Sequence, residues 1–159
     1  MEGGDLRTML NDFEKANHPT GFDREKVTIA LHVCHALTYL HSLEPPVIHR
    51  DLKSRNILLN EMLEAKLTDF GISRERLDRT MTAGVGTSLW MAPEVMMGEK
   101  YDVKADMFSF GVVLSELDLH TLPYTQAKEE MQNSHGHPTM RPSAAEALFK
   151  LQVILSKEL

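Results

Sequence analysis

The sequence predicts an α+β fold that is mostly α, a helical lobe carrying one small β-hairpin. Three observations predict it. From Asp23 to Leu40 apolar residues recur at spacings of three and four, the pattern of a helix with one buried face. Asp106 to Leu117 is apolar on almost every side, as a helix at the centre of a domain is. Two short apolar runs, Ile57 to Leu59 and Leu63 to Thr68, flank Asn60-Glu61 and read as a hairpin.

Each element follows in order. Gly3-Gly4 breaks the chain ahead of a short helix expected over Asp5 to Leu10. Asn11 to Gly21 is polar, contains Pro19 and reads as a loop. The long helix begins at Asp23 and turns Val27, Ala30, Leu31, Cys34, Leu37 and Leu40 inward. Pro45-Pro46 ends it, because the residue before a proline is pushed out of the helical region. Val47-Ile48 reads as a short strand entering the next loop. After the hairpin, Asp69 to Glu94 is one long loop rich in hydroxyls, and a loop of that length inside a domain is usually functional. The last helix opens at Ser143 with Glu146 three residues on, a capping box in which each side chain covers the other's free amide.

The bulk properties bound what the chain can be. Its 159 residues suffice for one domain, which would bury roughly two thirds of its unfolded surface. The net charge of −6 gives no basic footprint, so neither nucleic acid nor an anionic membrane is expected as the main partner. One cysteine, Cys34, permits no intramolecular disulfide and fits a reducing compartment. No apolar run approaches a bilayer span, and Met1-Glu2-Gly3-Gly4-Asp5 is no signal peptide, so a cytoplasmic location is expected.

The chemistry concentrates in three blocks. His49-Arg50-Asp51-Leu52-Lys53-Ser54-Arg55-Asn56 is followed by Thr68-Asp69-Phe70-Gly71 and then by Met91-Ala92-Pro93-Glu94. Any one of them can arise by chance. In this order they resemble the signature set of protein kinases, and the resemblance is to the C-terminal lobe, across nearly the whole chain. The wording of Asp51 to Asn56 and of Trp90 to Glu94 is similar to the tyrosine-kinase-like group of Ser/Thr kinases.

That resemblance implies a set of roles. Asp51 would accept the proton of the substrate hydroxyl, and Lys53 would touch the transferred phosphate. Asn56 and Asp69 would hold Mg²⁺ on ATP. Leu58 would lie under the adenine, with Met1 and Asp5 at the hinge and near the ribose. Asp106 would accept hydrogen bonds from the His49-Arg50 turn. His49 and Phe70 would stack in the internal column, Gly71 would close the second block, and Glu94 would pair with Arg141. Arg50 beside the catalytic Asp implies activation by phosphorylation of the loop, with Thr80 and Thr82 as candidates and Thr87 more structural. Lys53 and Thr87 imply a protein substrate with a Ser or Thr acceptor, and an upstream kinase would then act on the loop.

Bland readings stand beside these. His32 and His35 have metal-binding spacing but no carboxylate or cysteine partner, and read as ordinary helix residues. His135-Gly136-His137 reads as a loop. Cys34 lies on the apolar face, where burial is expected rather than reactivity. Thr80 and Thr82 can equally be plain exposed threonines.

The chain also departs from the kinase pattern. It contains no glycine-rich phosphate loop and no strand lysine in a Val-Ala-Ile-Lys context. Asp118 to Thr139 is too short and polar for the two further helices a kinase has there. The expectation is one partial kinase domain over 1–159 with an internal deletion around 126–138. Such a chain would be inactive or nearly so by itself. The alternatives are a non-catalytic module that docks partners or competes with a full-length relative, and a fragment without a stable fold.

Overall fold

The computed structural model describes residues 3–70, 88–123, 141, 143, 144, 146, 147, 151 and 152. Helix α1 spans Leu6–Lys15, and α2 spans Arg24–Ser42. A 3-10 turn at Ser54–Asn56 leads into strands β1 (Ile57–Leu59) and β2 (Ala65–Leu67). A second 3-10 turn, Ser88–Trp90, precedes the short α3 (Pro93–Met96) and the central α4 (Lys104–Leu119). The mostly helical α+β class read from the sequence is the one observed.

Helix α1 runs five residues beyond the expected Leu10. Leu6, Leu10 and Phe13 continue one apolar stripe, and Arg7 Nε donates to Asn11 Oδ1 at 2.9 Å across one turn. The loop that follows therefore starts near Asn17, which has φ 51°. Asp5 caps α1, its carboxylate accepting from the Thr8 amide at 3.0 Å. Asp23 caps α2 in the same way through the Lys26 amide at 2.9 Å.

The periodic face of α2 is buried as expected, with Ala30, Cys34 and Leu37 fully enclosed. Each leucine so enclosed contributes about 2 kcal/mol of transfer free energy. The helix stops at Ser42, ahead of Pro45-Pro46. Val47-Ile48 is not a strand, which corrects the sequence reading. The Val47 amide bonds back to the Leu40 carbonyl at 3.0 Å, so α2 itself takes the donor a sheet would have used.

The hairpin is shorter than expected on its second side, because Leu63 adopts φ 59° and belongs to the turn. Asn60 builds that turn, its Oδ1 accepting the amides of Met62 at 3.0 Å and Glu64 at 2.8 Å. The strands pair antiparallel with Leu58 opposite Lys66. On the other edge of β1, the Leu59 amide donates to Gly4 and the Gly3 amide to Leu59, and Asp5 bridges Leu58. A Cβ on Gly3 would lie 2.7 Å from the Asn60 carbonyl oxygen, so this close approach requires glycine.

Helix α4 occupies the centre. Phe110, Val113 and Leu117 are enclosed, while Gly111 and Ser115 form a narrow exposed strip one turn apart. It ends at His120 in the left-handed conformation, φ 62°. Beyond it, Ser143 Oγ accepts the Glu146 amide at 3.2 Å and Glu146 Oε2 accepts the Ser143 amide at 3.0 Å, the capping box in both directions.

Candidate active site

The loop between α2 and β1 is held by one buried carboxylate. Asp106, in the first turn of α4, accepts the amides of His49 at 2.8 Å and Arg50 at 3.0 Å, and lies 2.8 Å from His41 Nε2. Those donors fix a backbone that needs fixing, since Arg50 has φ 72°, a region costly for a side chain of that size. The fully enclosed His49 ring reaches the Thr68 carbonyl at 2.9 Å, tying the loop to the far end of the hairpin.

Three polar side chains meet inside this loop. Asn56 Nδ2 donates to the Asp51 carbonyl at 2.8 Å and to Asp51 Oδ2 at 3.0 Å. Lys53 Nζ lies 3.2 Å from the same Oδ2. The pair is sheltered, the side chains being 14% exposed for Asp51 and 17% for Lys53. A carboxylate between an ammonium and an amide is held in one orientation.

Asp69 stands apart in character. It is exposed, with φ 59°, and follows Thr68, whose amide donates to the Asn56 carbonyl at 3.0 Å. The hairpin thus brings Asp69 back beside the loop that ends at Asn56. Phe70 packs against His49 with ring centroids 5.2 Å apart, tilted at 57° rather than stacked face to face, and is half exposed. Leu58 is partly buried and neighbours Asp5 through the isolated bridge. Asp5 itself serves α1 as its cap.

Glu94 lies in α3 rather than in a loop, and Arg141 grips it with two bonds of 2.6 and 3.1 Å. The Arg141 guanidinium also sits 5.0 Å over the Phe108 ring. The Arg50 guanidinium lies 5.8 Å over the Tyr101 ring. Met1, Gly71, Thr80, Thr82 and Thr87 lie outside the described residues, as do His135 to His137.

The bland readings resolve into specific contacts. His32 Nδ1 accepts the Ala65 amide at 3.2 Å, joining α2 to β2. Cys34 is enclosed, its thiol directed at the Ala144 carbonyl at 3.3 Å, and burial pushes its pKa up to about 12. Among the described residues no three His, Cys, Asp or Glu are grouped to hold a metal ion.

Sequence reasoning missed a second buried carboxylate. Glu116, about one turn beyond the middle of α4, accepts from Arg7, Ser54 and Trp90. Burial drives its pKa up, opposed by the hydrogen bonds from Trp90, Ser54 and Arg7 and by the Arg7 charge. The one signal available was a glutamate inside the largely apolar run from Met107 to Leu117. His41 was missed as well, since nothing local marks a histidine near a helix end as the partner of an aspartate sixty-five residues on.

The fold and the loop together define a class. This chain belongs to the protein kinase domain family, which it matches over residues 1–155. Among curated proteins it is similar to the RasGEF domain-containing serine/threonine-protein kinase X of Dictyostelium discoideum, 44% identical over 121 residues, covering 74% of this chain and 12% of that protein. A probable serine/threonine-protein kinase of the same organism is 34% identical over 159 residues, covering 95% of this chain and 14% of that protein. The calcium/calmodulin-regulated receptor-like kinase 2 of Arabidopsis thaliana is 48% identical over 95 residues, covering 58% of this chain and 22% of that protein. The chain thus spans between 12% and 22% of the length of these relatives. No helix among the described residues is long and apolar enough to cross a membrane.

Proposed function

We propose that this chain is the catalytic lobe of a protein serine/threonine kinase of the tyrosine-kinase-like group, transferring the γ-phosphate of ATP to Ser or Thr of proteins. The observation that supports it best is the hydrogen-bonded group of Asp51, Lys53 and Asn56, anchored through Asp106 to the central helix. Phosphoryl transfer asks the protein for positioning and charge neutralisation more than for covalent chemistry. Asp51 orients the acceptor hydroxyl and takes its proton. Oδ2 is already engaged by Lys53 and Asn56, so Oδ1 is the oxygen assigned to that proton. Lys53 meets the transferred phosphate as a point charge.

Asn56 and Asp69 would hold Mg²⁺. The fit is chemical: both offer oxygen, and Mg²⁺ is commonly held by one or two carboxylates with phosphate and water completing its shell. A bound ion would neutralise the charge on the β- and γ-phosphates. Leu58 and Asp5, neighbours across the isolated bridge, are assigned to the adenine and ribose side. Arg50 is assigned to a phosphate on Thr80 or Thr82, placed by an upstream kinase. The Ser/Thr class rests on Lys53 and on the names of the relatives.

We further propose that these 159 residues by themselves transfer phosphate slowly or not at all. They contain no glycine-rich loop and no strand lysine, the parts that cover and orient the phosphates in kinases. The stretch around 126–138 is read as an internal deletion. The half-exposed Phe70 beside His49 favours a second reading, in which the chain is a docking or competing module. A transfer assay separates these. The chain would be tested alone and joined to an upper lobe bearing those missing parts, each with Asp51→Asn as control. The kinase reading expects transfer to Ser or Thr only in the joined protein, lost in Asp51→Asn. No transfer in the joined protein would favour the docking module, and Asp51-dependent transfer by the chain alone would sink the claim of inactivity.

A further inference from the structure

Glu116 is fully buried on α4, and its carboxylate is shared by donors from three separate parts of the chain. Arg7 Nη1 of α1 donates to Oε1 at 2.9 Å. Ser54 Oγ, within the loop between Lys53 and Asn56, donates to the same oxygen at 2.7 Å. Trp90 Nε1 donates to Oε2 at 2.6 Å. The supports are themselves fixed. Arg7 also donates to the carbonyls of His120 and Thr121, at the C-terminal end of α4. Ser109, two turns earlier on α4, donates to the Trp90 carbonyl at 2.6 Å. The Trp90 segment is therefore pinned to α4 by both its ring and its backbone.

We propose that Glu116 is a positioning residue that couples the segment around Trp90 to the loop carrying Asp51 and Asn56. It touches no reacting atom in this scheme. It fixes Ser54, and with it the turn Ser54–Asn56 from which Asn56 reaches back to Asp51. A carboxylate suits the task because its two oxygens offer about four acceptor sites, enough for three donors at once. An amide offers one oxygen and would leave a buried donor without a partner. A shift of the Trp90 ring moves Oε2 and, through the rigid carboxylate, the Oε1 that Ser54 and Arg7 hold. The assignment of Asp51 and Asn56 as functional rests on the kinase reading, whereas the coupling itself does not.

Residue-resolved amide hydrogen exchange, without nucleotide, tests the coupling in the chain as it stands. Trp90→Phe removes the Oε2 donor and leaves Ser54 and Arg7 in place. The coupling predicts that amides of residues 52–56 exchange about ten-fold faster in this variant, while those at the centre of α2 change by less than about two-fold. Ser54→Ala should loosen residues 88–92 in return. Glu116→Gln should do both, and if it fails to fold the two partner variants still decide. Acceleration confined to 88–92 in Trp90→Phe overturns the coupling. So does an equal factor at residues 52–56 and in α2, which would mark plain loss of stability. A coupled chain whose MgATP binding ignored Asp69→Ala would keep this inference and lose the kinase reading.

Discussion

Single residues carry this site through backbone as much as through side chains. Arg50 and Asp69 both hold left-handed backbone, φ 72° and 59°, on either side of the hairpin. Neither is glycine, so the surroundings must hold them there. For Arg50 the holder is Asp106, whose two oxygens serve two amides and the His41 ring. A third left-handed residue, His120, closes α4 with its ring buried against Phe13 and His18, at centroid distances of 5.3 and 5.6 Å. Its pKa is lowered from 6.5, first by burial, then by the charges of Lys26 and His18, with Asp23 pulling the other way and Arg7 adding to the fall. As pH falls below 6.5 the unfolded chain takes this proton before the folded one, so folding stability falls with it until the folded pKa is passed. His120→Asn keeps a side chain that tolerates the left-handed region and removes the titration. Urea unfolding at about pH 7 and about pH 5 should show a smaller acid loss in the variant than in the wild type. An identical loss in both would mean that His120 does not carry it.

Elements whose cause is local are legible in the sequence. The buried face of α2 follows from spacing, the hairpin from two apolar runs about Asn60, and the capping box from Ser143 and Glu146. Helix α1 was cut short because Phe13, which extends its stripe, sits in polar company. Val47-Ile48 looked like a strand because β-branched residues say nothing of where their amides go, and Val47 bonds to α2. Pairings across long stretches of chain leave no local mark. Arg7 and Glu116 lie 109 residues apart, and only a glutamate within the apolar run Met107 to Leu117 hinted at a partner. The pairing of Glu94 with Arg141, 47 apart, follows from the family resemblance rather than from any pattern of spacing. That ion pair ties α3 to the segment beyond α4, with side chains 13% and 8% exposed. Arg141→Met should cost about 3 kcal/mol in denaturant unfolding, because it strips the guanidinium from a sheltered carboxylate. Glu94→Gln added to it should restore most of that. A single variant costing under about 0.5 kcal/mol would show the pair to be a surface contact of little worth.

Across the described residues, two buried carboxylates on one helix anchor the segments around the candidate site. Asp106 at the start of α4 holds the loop from below, and Glu116 near its end gathers α1, Ser54 and Trp90. Around them the enclosed apolar side chains of α1, α2, β1 and α4 form one core, to which Ala144 and Leu151 contribute. The family match and the geometry agree on a kinase lobe, and the proposed function requires that this lobe hold MgATP through Asp69. A thermal melt of the purified chain, with and without saturating MgATP, tests that most directly, since a ligand bound only by the folded state must raise the midpoint. A kinase lobe of this kind gives one cooperative transition that rises by a few degrees with MgATP, about 1–2 kcal/mol of linkage, in the wild type but not in Asp69→Ala. A cooperative melt that MgATP leaves unmoved, or moves equally in Asp69→Ala, would contradict it.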